Sequence, residues 1–192
     1  MNVTTKPGWQ ARTGRLVLGL AAALLLAGTA NALTLGQVAP PNLGNCSSCN
    51  IFQRKVAAGE PHYRVPAGNW TITSWSAQGG GTAAGQARLR VYRPAGTLGQ
   101  FELVKQTILR SIPANGHPSF AANLDVQGGD LLGIETVSDV PAGYNTVLTG
   151  DKEAIVVCDP TGVGQLVGKG TTCKLVVSTS SLVNIRAVLV PR

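Results

Sequence analysis

Tyr63–Pro94 reads YRVPAGNWTITSWSAQGGGTAAGQARLRVYRP, and its second half fixes the fold class. Over Gln86–Arg93, Ala87, Leu89 and Val91 fall on one side and Arg88, Arg90 and Tyr92 on the other. Alternation of this length is the period-2 pattern of a strand with one face buried. The first half, Trp70–Gln78, is rich in Thr, Trp, Ile and Ser and reads as a second strand, with Ile72 and Ser74 on one face and Thr71, Thr73 and Trp75 on the other. The glycine-rich segment Gly79–Gly85 lies between them and reads as a hairpin connection. It lacks both the following helix and the Lys-Ser/Thr pair that a phosphate-binding loop requires.

Outward from this stretch, short strand patterns recur every few residues. Ile51–Val56 and Pro61–Val65 precede it. Phe101–Ser111 follows, with an expected bend near Thr107. Ser119–Val126 alternates, placing Phe120, Ala122, Leu124 and Val126 together. It leads through the Gln127–Asp130 turn into Leu131–Glu135. Tyr144–Leu148, Ala154–Cys158, Cys173–Ser178 and Leu182–Val190 complete the series. Closely spaced strands with Gly, Pro, Asn and Asp between them, and no strand–helix alternation, predict an all-β fold: an antiparallel two-layer β-sandwich, jelly-roll-like.

The N-terminus has a different character. Lys6, Arg12 and Arg15 precede the apolar run Leu16–Leu26, and Ala30-Asn31-Ala32 fits a small-x-small cleavage pattern. The run has 11 residues, too few to cross a hydrocarbon layer of roughly 30 Å as a helix. Residues 1–32 therefore read as a cleaved secretory signal peptide, with the mature chain starting at Leu33. The expected organisation is 1–32 signal, 33–50 extended Pro/Asn/Gly-rich lead-in, and 51–192 a single sandwich domain, secreted to the extracellular space or cell envelope. No stable membrane anchor is expected after cleavage. Thr29 stands where a lipoprotein requires cysteine.

The 192-residue chain carries 16 Lys+Arg and 9 Asp+Glu. The signal accounts for three of the basic residues, so the mature chain has 13 basic against 9 acidic side chains, a net +4. That excess has no basic run and does not describe a nucleic-acid binder. It permits attraction to acidic envelope polymers.

Four features together, the Val65-Pro66-Ala67-Gly68 turn, Ile72–Ser76, Leu89–Pro94 and Gly128–Ile134, resemble a group of uncharacterised secreted β-sandwich proteins of actinobacterial type. The resemblance spans roughly residues 35–190. It implies fold and export, and brings no activity, cofactor or catalytic residue.

Four cysteines, Cys46, Cys49, Cys158 and Cys173, suit an oxidising compartment. Cys158 with Cys173 closes a loop worth about 3 kcal/mol in the chain-entropy model. Cys46 with Cys49 makes a local ring. Crossed pairings remain open. A redox dithiol at Cys46/Cys49 lacks the helix N-terminus that lowers a thiol pKa, and the spacing does not suit a four-cysteine zinc site. His62 and His117 sit in separate proline-flanked turns. Among the acids, Asp151, Glu153 and Asp159 do not have the spacing of a calcium loop, and Asp130 reads as a turn residue. No nucleophile elbow or marked carboxylate pair is present.

No catalytic residue, cofactor or metal is therefore expected. The candidate ligand-binding residues are Trp70, Trp75, Arg88, Arg90 and Tyr92, the aromatic and basic set of the opening stretch. An outward face bearing them suits a glycan or cell-envelope polymer. The expected function is a secreted non-enzymatic binding module. The alternatives are a small secreted hydrolase with a site built from distant loops, and a structural or host-interaction protein without a small ligand.

Overall fold

A computed structural model describes residues 1, 31–38, 44–45, 49–81, 83–137, 140, 143–145, 152–157, 162–169, 171, 175–179 and 181–192. The signal-like segment lies outside them, apart from Met1 and residues 31 and 32. So do Pro40-Pro41, Cys46, Cys158 and Cys173. The described chain is all β. One sheet holds β1 (Leu33–Gln37), β15 (Ile185–Pro191), β4 (Asn69–Ser76) and β8 (Ser119–Gln127), in that order. A larger sheet runs from β12 (Leu166–Gly168) through β6 (Gln100–Gln106), β5 (Gly85–Pro94), β9 (Leu131–Val137), β3 (Asn50–Lys55) and β11 (Glu153–Val157) to β13 (Leu175–Ser178). The short β7 (Arg110–Ile112) also pairs with β5. A small third sheet joins β14 (Ser181–Val183), β10 (Gly143–Asn145) and β2 (Gly44–Asn45). All pairings between strands are antiparallel.

The two larger sheets enclose the main core. Leu35, Ile72, Trp75, Ile185, Ala187 and Leu189 come from one side; Ile51, Ala87, Leu89, Val91, Leu132 and Ile134 come from the other. This is the expected sandwich, with Ala87, Leu89 and Val91 facing inward as their alternation predicts.

Three expectations need correction. Leu33–Gln37 and Gly44–Asn45, assigned to the lead-in, are strands of the sheets. β1 pairs along its length with β15, from Leu33↔Leu189 to Gln37↔Ile185, and β2 pairs with β10. Their extended residues gain ladder hydrogen bonds, which a free segment would satisfy only with water.

The opening stretch is also not a hairpin. β4 and β5 belong to different sheets, so the glycine-rich segment crosses between layers that pack roughly 10 Å apart. It is held there by backbone bonds from Gly79 N–H to the Gly116 carbonyl and from Asn115 N–H to the Gly80 carbonyl. Gly79 is required: a Cβ would lie 2.0 Å from the Pro113 carbonyl oxygen.

The phase of β4 shifts as well. Period 2 separates Ile72 from Trp75, yet both are buried in the same core. The register against β15 slips at Thr73, with Ile72 opposite Leu189 and Ser74 opposite Val188. The intervening residue is a bulge, and a bulge moves every later side chain to the other face.

The larger sheet also buries its second face. Phe52, Tyr92, Phe101, Leu103, Leu131, Ile155, Val157 and Val167 form a second cluster drawn from β3, β5, β6, β9, β11 and β12. Strands near opposite ends of the sheet meet there, so the sheet curls over its own outer face. A sheet of this many strands twists strongly enough to do so. The Phe52 and Tyr92 rings stack at 4.5 Å.

Gly133 of β9 makes room for that stack. A Cβ there would lie 2.7 Å from the Ile51 carbonyl oxygen and 2.8 Å from Phe52 Cβ. Backbone cannot yield as a side-chain tip does. Gly133→Ala is expected to cost about 1–3 kcal/mol by overpacking. A urea titration checks this: the midpoint falls while the slope is unchanged, and an unshifted midpoint refutes the close packing.

Candidate functional site

The residues singled out at the opening stretch are largely interior. Trp75 is 1% exposed and packs against Phe120 across β4–β8, ring centroids 5.0 Å apart. Arg90 and Tyr92 are both 0% exposed. Arg88 is half-buried and paired with Glu135, which stands directly opposite it in the β5–β9 register. Glu135 also pairs with Arg90, whose Nη1 donates to Asn50 Oδ1 at 2.6 Å. Trp70 is half-buried, and its indole N–H lies within reach of the Pro66 and Ala67 carbonyls, at 3.2 and 3.3 Å. It staples the turn that precedes it. These five residues form no ligand-facing strip. The curl of the larger sheet hides Arg90 and Tyr92, and the bulge in β4 carries Trp75 inward.

The turn stapled by Trp70 docks on a second motif. Gly128 N–H donates to the Gly68 carbonyl, Gly129 N–H to that of Val65, and Val65 N–H to that of Asp130. Asp130 is fully buried. It caps its own turn by accepting from Gln127 N–H at 3.0 Å and takes both arms of the Arg93 fork at 2.7 and 2.9 Å. The hydrogen bonding to this carboxylate raises the Arg93 pKa above its ordinary value, against the opposing effect of burial. Three of the sequence motifs quoted above, those at residues 65–68, 89–94 and 128–134, thus form one structural joint.

The surface concavity lies elsewhere. A hollow of about 400 Å³ is lined by Gln53, Arg54, Lys55 and Val56 from the end of β3 and by His62, Tyr63 and Arg64 from the returning chain. A smaller one of about 190 Å³ shares Arg54 and Arg64 and continues over Pro94–Ala95 and Thr97–Phe101. The two meet at the two arginines.

The local sequence explains the geometry. Ala57–Glu60 reverses the chain: Glu60 N–H donates to the Ala57 carbonyl, and its carboxylate accepts from Ala57 N–H at 3.0 Å. Lys152, fully buried, holds that carboxylate at 2.8 Å and so anchors the turn to the base of β11. The returning segment is fastened on three sides. Gly36 N–H donates to the His62 carbonyl, Leu132 N–H to that of Tyr63, and the buried Tyr63 hydroxyl to that of Val183 at 2.7 Å. Gln53 ties β3 to the same strand by accepting from Val183 N–H at 3.0 Å. The walls are therefore set by backbone ladders.

Among the described residues, positive and neutral side chains line the hollows. Arg54, Lys55, Arg64 and His62 contribute, and no described Asp or Glu lines either one. Arg54 is oriented by an ion pair with Glu153 behind it. Arg64 Nη1 donates to the Gly129 carbonyl at 3.1 Å. A guanidinium has five donors, so both retain capacity toward the cleft.

The other residues weighed in the sequence do not join this cleft among the described residues. His117 lies exposed in the loop after β7. Glu153 is committed to Arg54, while Asp151 and Asp159 lie outside the described residues. Cys49 precedes β3, bonded through its carbonyl to Thr136 N–H at 2.9 Å. It is disulfide-bonded, and the other three cysteines lie outside the described residues.

Sequence reading passed over Arg54, Lys55 and Arg64 because they are scattered in a linear view. The available signal was a turn, Ala57–Glu60, flanked on both sides by basic residues. A chain reversal brings such flanks together. Comparison with protein-family models, with curated proteins and with solved structures gave no match.

Proposed function

We propose that this is a secreted, non-enzymatic β-sandwich module that binds glycan or cell-envelope material, with the cleft between β3 and His62–Arg64 as its site. The observation that carries this reading is the lining. Arg54, Lys55, His62 and Arg64 converge on one open hollow whose walls are fastened by backbone bonds. A shallow concavity with a few convergent polar groups on a rigid frame is the usual form of a binding site for small molecules and chain segments. Donors on rigid strands suit the hydroxyl and acidic groups that envelope polymers display. The signal-like N-terminus, and the resemblance to secreted β-sandwich proteins, support export. Pairing of the cysteines accords with an oxidising destination.

The test is retention of the purified mature chain, residues 33–192, on insoluble envelope polymers and on a glycan array. Binding is expected, and Arg64→Ala is expected to weaken it about tenfold, the loss of one charge-assisted hydrogen bond of roughly 1.5 kcal/mol. Arg64 is exposed, so the variant's melting temperature should stay close to that of the parent. Absence of retention on every polymer, with a folded protein, refutes the reading.

A further inference from the structure

We infer that the ligand is an acidic glycan chain, laid in extended form across both hollows with its carboxylate or phosphate groups at Arg54 and Arg64. This inference rests on the binding-module reading and goes further in naming the ligand's charge and length. Three observations carry it. Arg54 and Arg64 line both hollows, so a ligand held by the two guanidinium groups is within reach of each. Together the hollows are far larger than a single small anion, and the smaller one is walled by Pro94, Ala95, Leu98 and Phe101. That surface suits the carbon skeleton of a chain better than a free ion. Among the described residues the charge is one-sided, since Glu153, the acid paired with Arg54, lines neither hollow.

Arginine matches this task physically. Its planar fork donates two parallel hydrogen bonds to a carboxylate or a phosphate, which a lysine does not do. Arg54 and Arg64 are each held by a partner within the fold, so less freedom is lost when they engage a ligand. Nucleic acid is the competing polyanion. It is disfavoured because single-strand binding relies on exposed aromatic platforms, whereas Tyr63 and Phe101, the aromatic residues of the cleft, are buried. The cluster of cations is also too small for the dense stripe that a duplex requires.

The experiment measures affinity of the mature chain for galacturonate oligomers of increasing length, a glycerol-phosphate oligomer, a neutral glucose oligomer and a single-stranded oligonucleotide. Each is measured at low and at physiological ionic strength. Affinity is expected to rise about tenfold or more from the monomer to the tetramer of at least one acidic series. It is expected to fall severalfold with salt, as exposed charge interactions are screened. The preferred series tells whether carboxylate or phosphate is the recognised group, and either one supports the inference. Arg54→Ala and Arg64→Ala should each reduce tetramer affinity about tenfold while leaving the monomer's little changed. Because Arg54→Ala also releases Glu153 into the cleft, Arg54→Gln combined with Glu153→Gln serves as its control and should lose affinity equally. Salt-independent binding of the neutral oligomer overturns the acidic-chain inference and leaves the binding-module reading standing. Acidic monomers binding as tightly as tetramers overturn the spanning arrangement. Binding of the oligonucleotide alone, or of nothing, overturns both.

Discussion

Glu135→Ala is expected to destabilise the protein by about 3–5 kcal/mol, the cost of removing one partner from a buried charge pair. Glu135 faces two arginines. Arg88 lies opposite it on β5, and Arg90 two pairs further along, with no exposed surface at all. Arg88 is partly exposed and can recover water. Arg90 cannot, because it is fully buried in the curled sheet, where it and Phe52 both stand opposite Gly133 and Tyr92 lies two residues along the same strand. Without the carboxylate, its charge is left facing the Asn50 side-chain carbonyl, a neutral acceptor, in place of a counter-ion. The measurement is a denaturant titration of the variant beside Arg90→Met/Glu135→Leu. The double variant removes both charges, so it is expected to cost markedly less than Glu135→Ala. Equal costs for the two would show that the carboxylate does not neutralise Arg90.

Trp75→Ala is expected to cost about 3–5 kcal/mol through the cavity left in the main core. The indole is the largest fully buried side chain among the described residues and packs across the β4–β8 pair against Phe120. Trp75→Phe sharpens the test. No hydrogen-bond partner for Trp75 Nε1 is present among the described residues, so phenylalanine forfeits volume and no hydrogen bond. It should cost only about 1–2 kcal/mol. Unfolding midpoints order the three proteins: parent, Phe variant, Ala variant. A tolerated alanine would mean that the bulge at Thr73 does not turn Trp75 inward, and would reopen the exposed-tryptophan site.

Both predictions concern residues, Arg90 and Trp75, that the sequence offered for an outward binding face, and the reason for the reversal is the same physical one. Alternation in Gln86–Arg93 says that two faces differ; it does not say that one of them meets water. Arg88, Arg90 and Tyr92 look like a solvent face because two of the three are charged. Inside, the charges are matched by Glu135 from β9 and Asn50 from β3, which lie 47 and 40 residues away. Nothing local to β5 announces them. In β4 the misreading has a smaller cause: one extra residue, Thr73, changes the phase, and a bulge has no reliable local mark here because neither Gly nor Pro is involved.

Elsewhere the local pattern carried through. The break after Gln106 falls where Thr107 predicted a bend, separating β6 from β7. Phe120, Ala122, Leu124 and Val126 all turn toward the core while their neighbours stay exposed. Asp130 serves its turn as expected, though its partner Arg93 was not foreseen.

The division follows from the range of each interaction. Strand identity, the antiparallel sandwich and the turn at Gln127–Asp130 depend on residues a few positions apart, and the linear order determined them. Which sheet each strand joins, the curl that buries Arg90, and the meeting of Arg54 with Arg64 depend on pairings that close loops of 10 to more than 100 residues. Loop-closure entropy varies only slowly with length, so length alone does not choose among such pairings. Burial of the two cores chooses, and burial exists only in the assembled fold. The cationic cleft is a product of that choice: its residues were visible as basic letters around a turn, and only the fastened return of His62–Arg64 against β9 and β1 made them one surface.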